Sequence, residues 1–333
     1  MGKHTLIEWA DSTINPTSGC DGCELYQPGA PHKATCYAFH QQTNRLSKTM
    51  PALYSRNFSE VRIIPGRMQQ AASWSDLRGQ FRPATNHGPA KPWFDLFPRI
   101  IFVGDLADIL SRNVSFAYLH NEVVEVMRSK TGGRHFWMVL TKQPQRLAEF
   151  TDIYGPLPDN CMALTSVTSE VTGRIRVPHL MRVKCRWRGL SMEPLRGPVD
   201  LESITRGGPL DLVITGGESG PLAHCPHPDW FRSLRDQCVT RGWPFFFKQW
   251  GSYSPHEGGE WVVCPSGSTM SRNGFIKSPL AMPEAAAMTR AGKHTSGRLL
   301  DGREWSEFPN ITAAWSTPPA ASPSAHDSDH PQQ

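Results

Sequence analysis

Cys20-Asp21-Gly22-Cys23 and, after twelve further residues, Cys36 bring three of the eight cysteines within seventeen positions. Thiolates are soft ligands, and close spacing lets one loop wrap one metal centre. A disulfide framework is a poor account of them. Three is an odd number, no secretory signal precedes them, and the chain reads as intracellular and cytoplasmic. Two centres compete. Three cysteines without a fourth in the loop suit a [4Fe–4S] cluster that leaves one iron open to a substrate or cofactor. His40 lies four residues after Cys36 and completes C-x2-C-x12-C-x3-H, good spacing for a closed Cys3His zinc site. Spacing alone favours zinc slightly.

The elements that must position these thiols follow a strand-then-helix rhythm. Short apolar or β-branched runs at 6–9, 61–64, 100–104, 136–141, 162–167, 185–191, 210–215 and 244–248 read as strands. Amphipathic stretches at 35–46, 66–75, 115–128, 143–150, 170–180 and 228–241 read as helices between them. Continuous apolar runs such as Ile100-Ile101-Phe102-Val103 suit strands buried on both faces. The pattern predicts α/β architecture: a complete or partial (β/α) barrel of parallel strands, with a doubly wound sheet as the runner-up. Ligands in either fold sit beyond the C-terminal strand ends. The cysteine loop follows the first predicted strand, which puts the thiols at that rim and shifts the balance towards the open cluster.

Residues 1–251 are expected to form this barrel-like domain. Residues 77–93, rich in Arg, Pro and Gly, read as a long loop or lid. Residues 252–316 lose the rhythm and read as a loop-rich cap with small hairpins at 260–264 and 298–305, the latter turning on Asp301-Gly302. Residues 317–333 are mostly Pro, Ser, Ala, His and Asp and read as a disordered tail.

Polar residues gather at the predicted strand ends. Gly216-Gly217-Glu218-Ser219 follows one buried strand, with glycines that let backbone approach a ligand and an acid able to accept from an amine or ribose hydroxyl. Lys142 closes another strand and is a compact charge suited to a carboxylate or phosphate, or a surface lysine opening a helix. Glu193, before a strand-ending proline, and Lys248 with Gln249 and Trp250 repeat the pattern. Asp105 and Asp108 read as acid–base or magnesium carboxylates, or more simply as helix caps. Cys225 and Cys238 read as buried structural thiols. There is no G-x-G-x-x-G, P-loop or G-x-S-x-G motif, so nucleotide-fold and hydrolase-triad readings lack support. Net charge is +5 and the isoelectric point about 8.8, compatible with a nucleic-acid or phosphate partner and equally with an ordinary basic surface. No run has the length of a membrane helix.

Several motifs in order carry a resemblance: Ile7-Glu8-Trp9, Asn15-Pro16-Thr17-x-Gly19-Cys20, Cys36-Tyr37-Ala38, Leu140-Thr141-Lys142, Leu190-Ser191-Met192-Glu193-Pro194-Leu195, Gly216-Gly217-Glu218-Ser219-Gly220, Phe247-Lys248-Gln249-Trp250-Gly251 and Leu300-Asp301-Gly302. Over residues 5–308 the set resembles a phage and prophage protein family of poorly defined activity. Its three-cysteine loop and barrel-like layout are similar to those of radical S-adenosylmethionine enzymes, including the spore photoproduct lyase group. The resemblance implies a [4Fe–4S] cluster on Cys20, Cys23 and Cys36. It further implies S-adenosylmethionine on the open iron, contacted by Glu218 or Glu193, an electron donor, and a 5′-deoxyadenosyl radical that takes hydrogen from a substrate. The usual loop of those enzymes is C-x3-C-x2-C, whereas the gaps here are two and twelve, which keeps zinc with His40 in play.

The expectation is therefore a cytoplasmic radical S-adenosylmethionine-type enzyme acting on a nucleobase or nucleic acid. Its expected metal ligands are Cys20, Cys23 and Cys36. Gly216, Gly217, Glu218, Ser219, Glu193, Lys142 and Lys248 are its cofactor-binding residues. The alternative is a zinc-stabilised nucleic-acid-binding protein without redox chemistry, using basic loop residues such as Arg78, Arg82 and Lys91.

Overall fold

The computed structural model describes residues 2–86, 88–277 and 284–312. Seven parallel strands form one sheet in chain order: β1 (Ser12–Ile14), β2 (Ile100–Val103), β3 (Phe136–Thr141), β4 (Cys161–Ser166), β5 (Trp187–Met192), β6 (Leu212–Gly216) and β7 (Phe245–Gln249). β1 and β7 are the two edges of the sheet, so it is a half-barrel, the partial form of the expected architecture. A doubly wound sheet needs a reversal in strand order, and sequential order rules it out.

Side chains alternate along each strand. Ile101, Val103, Trp137, Val139, Leu190, Met192, Phe245 and Phe247 face one apolar cluster shared with the helices. Ile100, Phe102, Phe136, Met138, Met162, Leu164, Ile214 and Phe246 face a second, inner cluster. Both faces are dry, which is why these strands read as unbroken apolar runs. The crossover helices carry their own end signals. Pro144–Tyr154 has Pro in its first turn, Glu170–Arg182 opens with a Ser169–Thr172 capping box, and Pro228–Arg241 stops at Gly242, whose φ of +66° is left-handed.

Two predicted strands are corrected. Residues 6–9 do not pair. They turn, with Ala10 N–H donating to the Ile7 carbonyl, and carry Trp9 into the inner cluster, 4.5 Å from the Phe102 ring. The edge strand is instead Ser12–Ile14. Its hydroxyls escaped the apolar pattern because they are satisfied locally: Ser12 Oγ donates to the Lys3 carbonyl and accepts from Arg99. Residues 61–64 contribute only Arg62–Ile63, paired antiparallel with Thr17–Ser18 outside the main sheet.

The lid predicted at 77–93 is held inwards as well. Buried Arg82 pairs with Asp11 at 3.3 Å and donates to the Leu77, Gln80, Phe97 and Pro98 carbonyls. Lys91 Nζ donates to the carbonyls of Thr5, Ile7 and Ala10, and burial pulls its pKa down to about 8. These two cations staple loops together and are not free for nucleic acid; Arg78 pairs with Asp76 at the surface.

The open side of the half-barrel is closed by the chain's own segments. Trp9, Phe94 and Ile311 are buried against the inner strand face, with Trp93, Phe97 and Phe308 packed beside them. Residues 305–307 bond along the β7 edge through Phe247 N–H to Trp305 and Glu307 N–H to Phe245. The predicted 298–305 hairpin is present as Leu299–Leu300 with Arg303–Glu304, turning on Asp301 and Gly302, both at positive φ. The 260–264 segment joins a four-stranded antiparallel sheet of Ser254–Pro255, Trp261–Val263, Thr269–Ser271 and Ala286–Thr289. The predicted tail at 317–333 lies outside the described residues. Among the described residues, no helix is long and apolar enough to cross a membrane.

Phe94 is fully buried, 5.0 Å from the Phe308 ring. Phe94→Ala is expected to lower the unfolding free energy by about 3–5 kcal/mol, measured by denaturant titration. A change below about 1 kcal/mol would mean that the inner face is not closed by these segments.

Candidate functional site

The cysteine loop leaves β1 at its C-terminal end and lies over the strand ends. Three polar anchors hold it there. Asp21, between Cys20 and Cys23, accepts from Gln143 Nε2 at 3.1 Å, just past β3, and from Arg112 N–H at 2.6 Å. Glu24, after Cys23, takes both arms of Arg176 at 3.0 and 2.6 Å and the Thr168 hydroxyl at 3.2 Å. Thr35, before Cys36, accepts from Arg196 Nη2 at 2.6 Å. The loop therefore carries a fixed contact beside each cysteine.

All three thiols are free. Cys20 and Cys36 pack around Tyr26 and Phe58. Burial pushes the Cys20 thiol up to about 12, with Asp108 and Cys23 adding to the effect, while the Gly22 backbone N–H and Lys142 oppose it. Cys36 is raised chiefly by burial, against backbone N–H groups of Phe39 and Ala38 and the charge of Lys142. Both shifts favour the neutral thiol. Lys142 is set beside them. Its backbone N–H donates to Asp108 at 2.8 Å. Its ammonium makes no hydrogen bond or ion pair among the described residues, and burial of that charge is outweighed by Cys23, Cys36 and Glu24, which raise its pKa.

The donor set suits a soft metal centre: three thiols, backbone N–H groups near two of them, and one cation to offset thiolate charge. Among the described residues, no group of three or more His, Cys, Asp or Glu side chains is arranged to hold a metal as it stands. His40 Nε2 is 2.9 Å from the Ala34 carbonyl. That bond occupies one of the two imidazole nitrogens open to zinc.

Glu218 is not the open acceptor its sequence position implied. It is 4% exposed and takes Arg196 Nε at 3.2 Å, a second short bond from Arg196 Nη2, and His224 through its backbone N–H at 3.1 Å and Nδ1 at 2.8 Å. Burial opposes its charge, but His224 and Arg196 prevail and hold its carboxyl down to about 2. Glu218 thus fixes Arg196, which fixes Thr35 beside Cys36. Gly217 is a glycine for a packing reason: a Cβ there would stand 1.8 Å from the Trp250 carbonyl oxygen. Gly216 is less constrained: a Cβ there would stand 3.2 Å from the Gln249 carbonyl oxygen and 3.5 Å from Glu193 Cγ. Ser219 Oγ is 3.3 Å from Gln249 Nε2.

Glu193 and Lys248 meet at the mouth of the half-barrel, with Nζ 2.7 and 2.8 Å from the two carboxylate oxygens. Asp105 accepts a short bond from Asn15, and Asp108 accepts from Thr141 Oγ1 and from the Lys142 and Leu110 N–H groups. These two acids tie strand ends together and cap no helix among the described residues; the next helix is capped by Ser115. Cys225 and Cys238 are buried. Sequence reasoning missed Arg176, Arg196 and Thr35, whose roles rest on partners more than 150 residues away.

A model of the family described as "Protein of unknown function (DUF5131)" matches residues 4–309. The chain belongs to that family. No curated protein and no solved structure matches it.

Two outcomes test this site. Gly217→Ala is expected to cost about 1–3 kcal/mol from overpacking, read by thermal unfolding; an unchanged midpoint would mean the backbone can yield there. The stability contributed by the depressed Glu218 carboxyl is full above its unfolded value of 4.5 and lost as pH falls towards about 2. The stability gap between wild type and Glu218→Gln should therefore narrow on acidification through that window. A gap independent of pH would show that the carboxylate charge is not what Arg196 and His224 hold.

Proposed function

We propose that this DUF5131 member is a radical S-adenosylmethionine-type enzyme of the cytoplasm, of phage or prophage kind, acting on a nucleobase or nucleic acid. The observation that carries the reading is the anchored rim loop: three free thiols beside an ammonium that makes no hydrogen bond or ion pair among the described residues. Cys20, Cys23 and Cys36 would hold a [4Fe–4S] cluster. When bound and reduced by an external electron donor, that group supplies one electron to cleave the sulfur–C5′ bond of S-adenosylmethionine, giving methionine and a 5′-deoxyadenosyl radical that abstracts hydrogen. Lys142 offsets negative charge where thiolates form, and it offers a hydrogen-bond donor to a ligand carboxylate. Arg176 and Arg196 act as positioning residues, holding the loop through Glu24 and Thr35. Apolar strand faces beneath the rim exclude water, which protects a reactive radical from side reactions.

A closed zinc site is the alternative reading; the His40–Ala34 bond leaves Nδ1 to ligate and so does not separate the two. Anaerobic purification with iron, sulfide and zinc analysis separates the two. About four irons and four sulfides per chain, retained in His40→Ala, are expected. One zinc that His40→Ala releases, with no iron after reconstitution, would overturn the proposal.

A further inference from the structure

Inside the half-barrel, below the cysteine loop, one acid has no use in the framework described above. Glu8 is half-buried, its side chain makes no hydrogen bond or ion pair among the described residues, and its Oε2 is shielded from solvent. A shielded carboxylate oxygen without a donor is unfavourable, and a ligand donor would relieve it. Its surroundings are defined by contacts. The Glu8 carbonyl accepts from Trp93 Nε1 at 3.1 Å; the Trp93 ring lies 5.6 Å from Phe246; and the Arg298 guanidinium covers both rings at 4.5 and 5.1 Å. Lys248 lies two residues beyond Phe246, at a register shift of β7 against β6, and the charge of Glu8 is felt at it. Lys248 spends two N–H donors on Glu193, and an ammonium has three. Acceptor and spare donor thus lie in one compartment beside flat rings.

We infer that Glu8 and Lys248 form a recognition site for a planar lactam edge, an N–H beside a carbonyl, of the kind carried by uracil, thymine or guanine. The N–H donates to Glu8 and the carbonyl accepts the third Lys248 donor. Trp93 and Arg298 supply the flat surface against which such a ring stacks. The inference rests on the proposed function for its choice of substrate class, and it assigns the residues that select within that class. Removing a donor that a buried polar group needs costs more binding than removing apolar contact.

The test uses the full chain, anaerobic, with and without reconstituted iron. Binding of uridine, guanosine and adenosine is measured by tryptophan fluorescence and calorimetry, beside 3-methyluridine and 1-methylguanosine, in which the ring N–H is gone. At least one lactam nucleoside is expected to bind, at least tenfold more tightly than its N-methyl derivative and than adenosine. Glu8→Gln should lose tenfold or more with metal content unchanged, and its thermal midpoint reports separately any loss of the charge that Glu8 presents to Lys91, Lys248 and Arg298. Lys248→Met should weaken the same ligand, and its midpoint reports any loss of the Glu193 pair separately. Absence of binding at millimolar concentration, or binding indifferent to N-methylation and to Glu8→Gln, overturns the inference. Glu8-dependent binding in a chain that takes up no iron would keep this site and remove the cluster; iron uptake without nucleoside binding would do the reverse.

Discussion

A parallel sheet buried on both faces has to be covered twice, and in a half-barrel the second cover cannot come from the sheet itself. Crossover helices cover the outer face. The inner face is covered by pieces of chain from distant positions: Trp9 from the N-terminal segment, Trp93 and Phe94 from the long loop after β1, and Phe308 and Ile311 from the C-terminal part. These pieces need their own fastening, which Arg82, Lys91 and the 305–307 pairing along β7 supply. Once both faces are closed, the strand ends are where polar chemistry can collect. The cysteine loop is placed there, and its anchors draw on the same rim.

At the rim, charge is arranged in two ways. Some groups are fully satisfied and serve as struts. Glu218 with Arg196 and His224, and Glu24 with Arg176, are of this kind, and breaking one partner would leave a shielded charge alone. Others are left open. The Lys142 ammonium and the Glu8 carboxylate make no hydrogen bond or ion pair among the described residues, although opposite charges act on both. These two differ in that respect from the paired charges of the rim.

Much of the sheet was legible because a strand covered on both faces leaves an unbroken apolar run. β3 was read with its observed limits, and β2, β4, β5, β6 and β7 within two residues at each end. β1 was not, because Ser12 and Thr13 are buried polar residues whose partners, Lys3 and Arg99 among them, cannot be seen in a local pattern. The cysteine loop was legible as a rim element, since it follows the first strand under either assignment. The meaning of Gly217 and Glu218 was not: a glycine before an acid looks the same whether the space is kept for a ligand or for the Trp250 carbonyl. The basic loop misled for a similar reason, since Arg82 and Lys91 look like surface charge until their carbonyl partners are placed.

The sequence separations of the loop's anchors carry a consequence for how the molecule is made. Asp21 finds Gln143 across 122 residues, Glu24 finds Arg176 across 152, and Thr35 finds Arg196 across 161. Chains emerge from the ribosome N-terminal end first, at about 5–20 residues per second, and contacts of long separation close late. The thiol-bearing loop is thus among the first parts synthesised and among the last to take its final shape. For several seconds of every synthesis three cysteines are carried on an unfinished chain, and the loop takes its anchored shape only after β5 and its following turn have formed. Arg196 is the residue whose arrival marks that point.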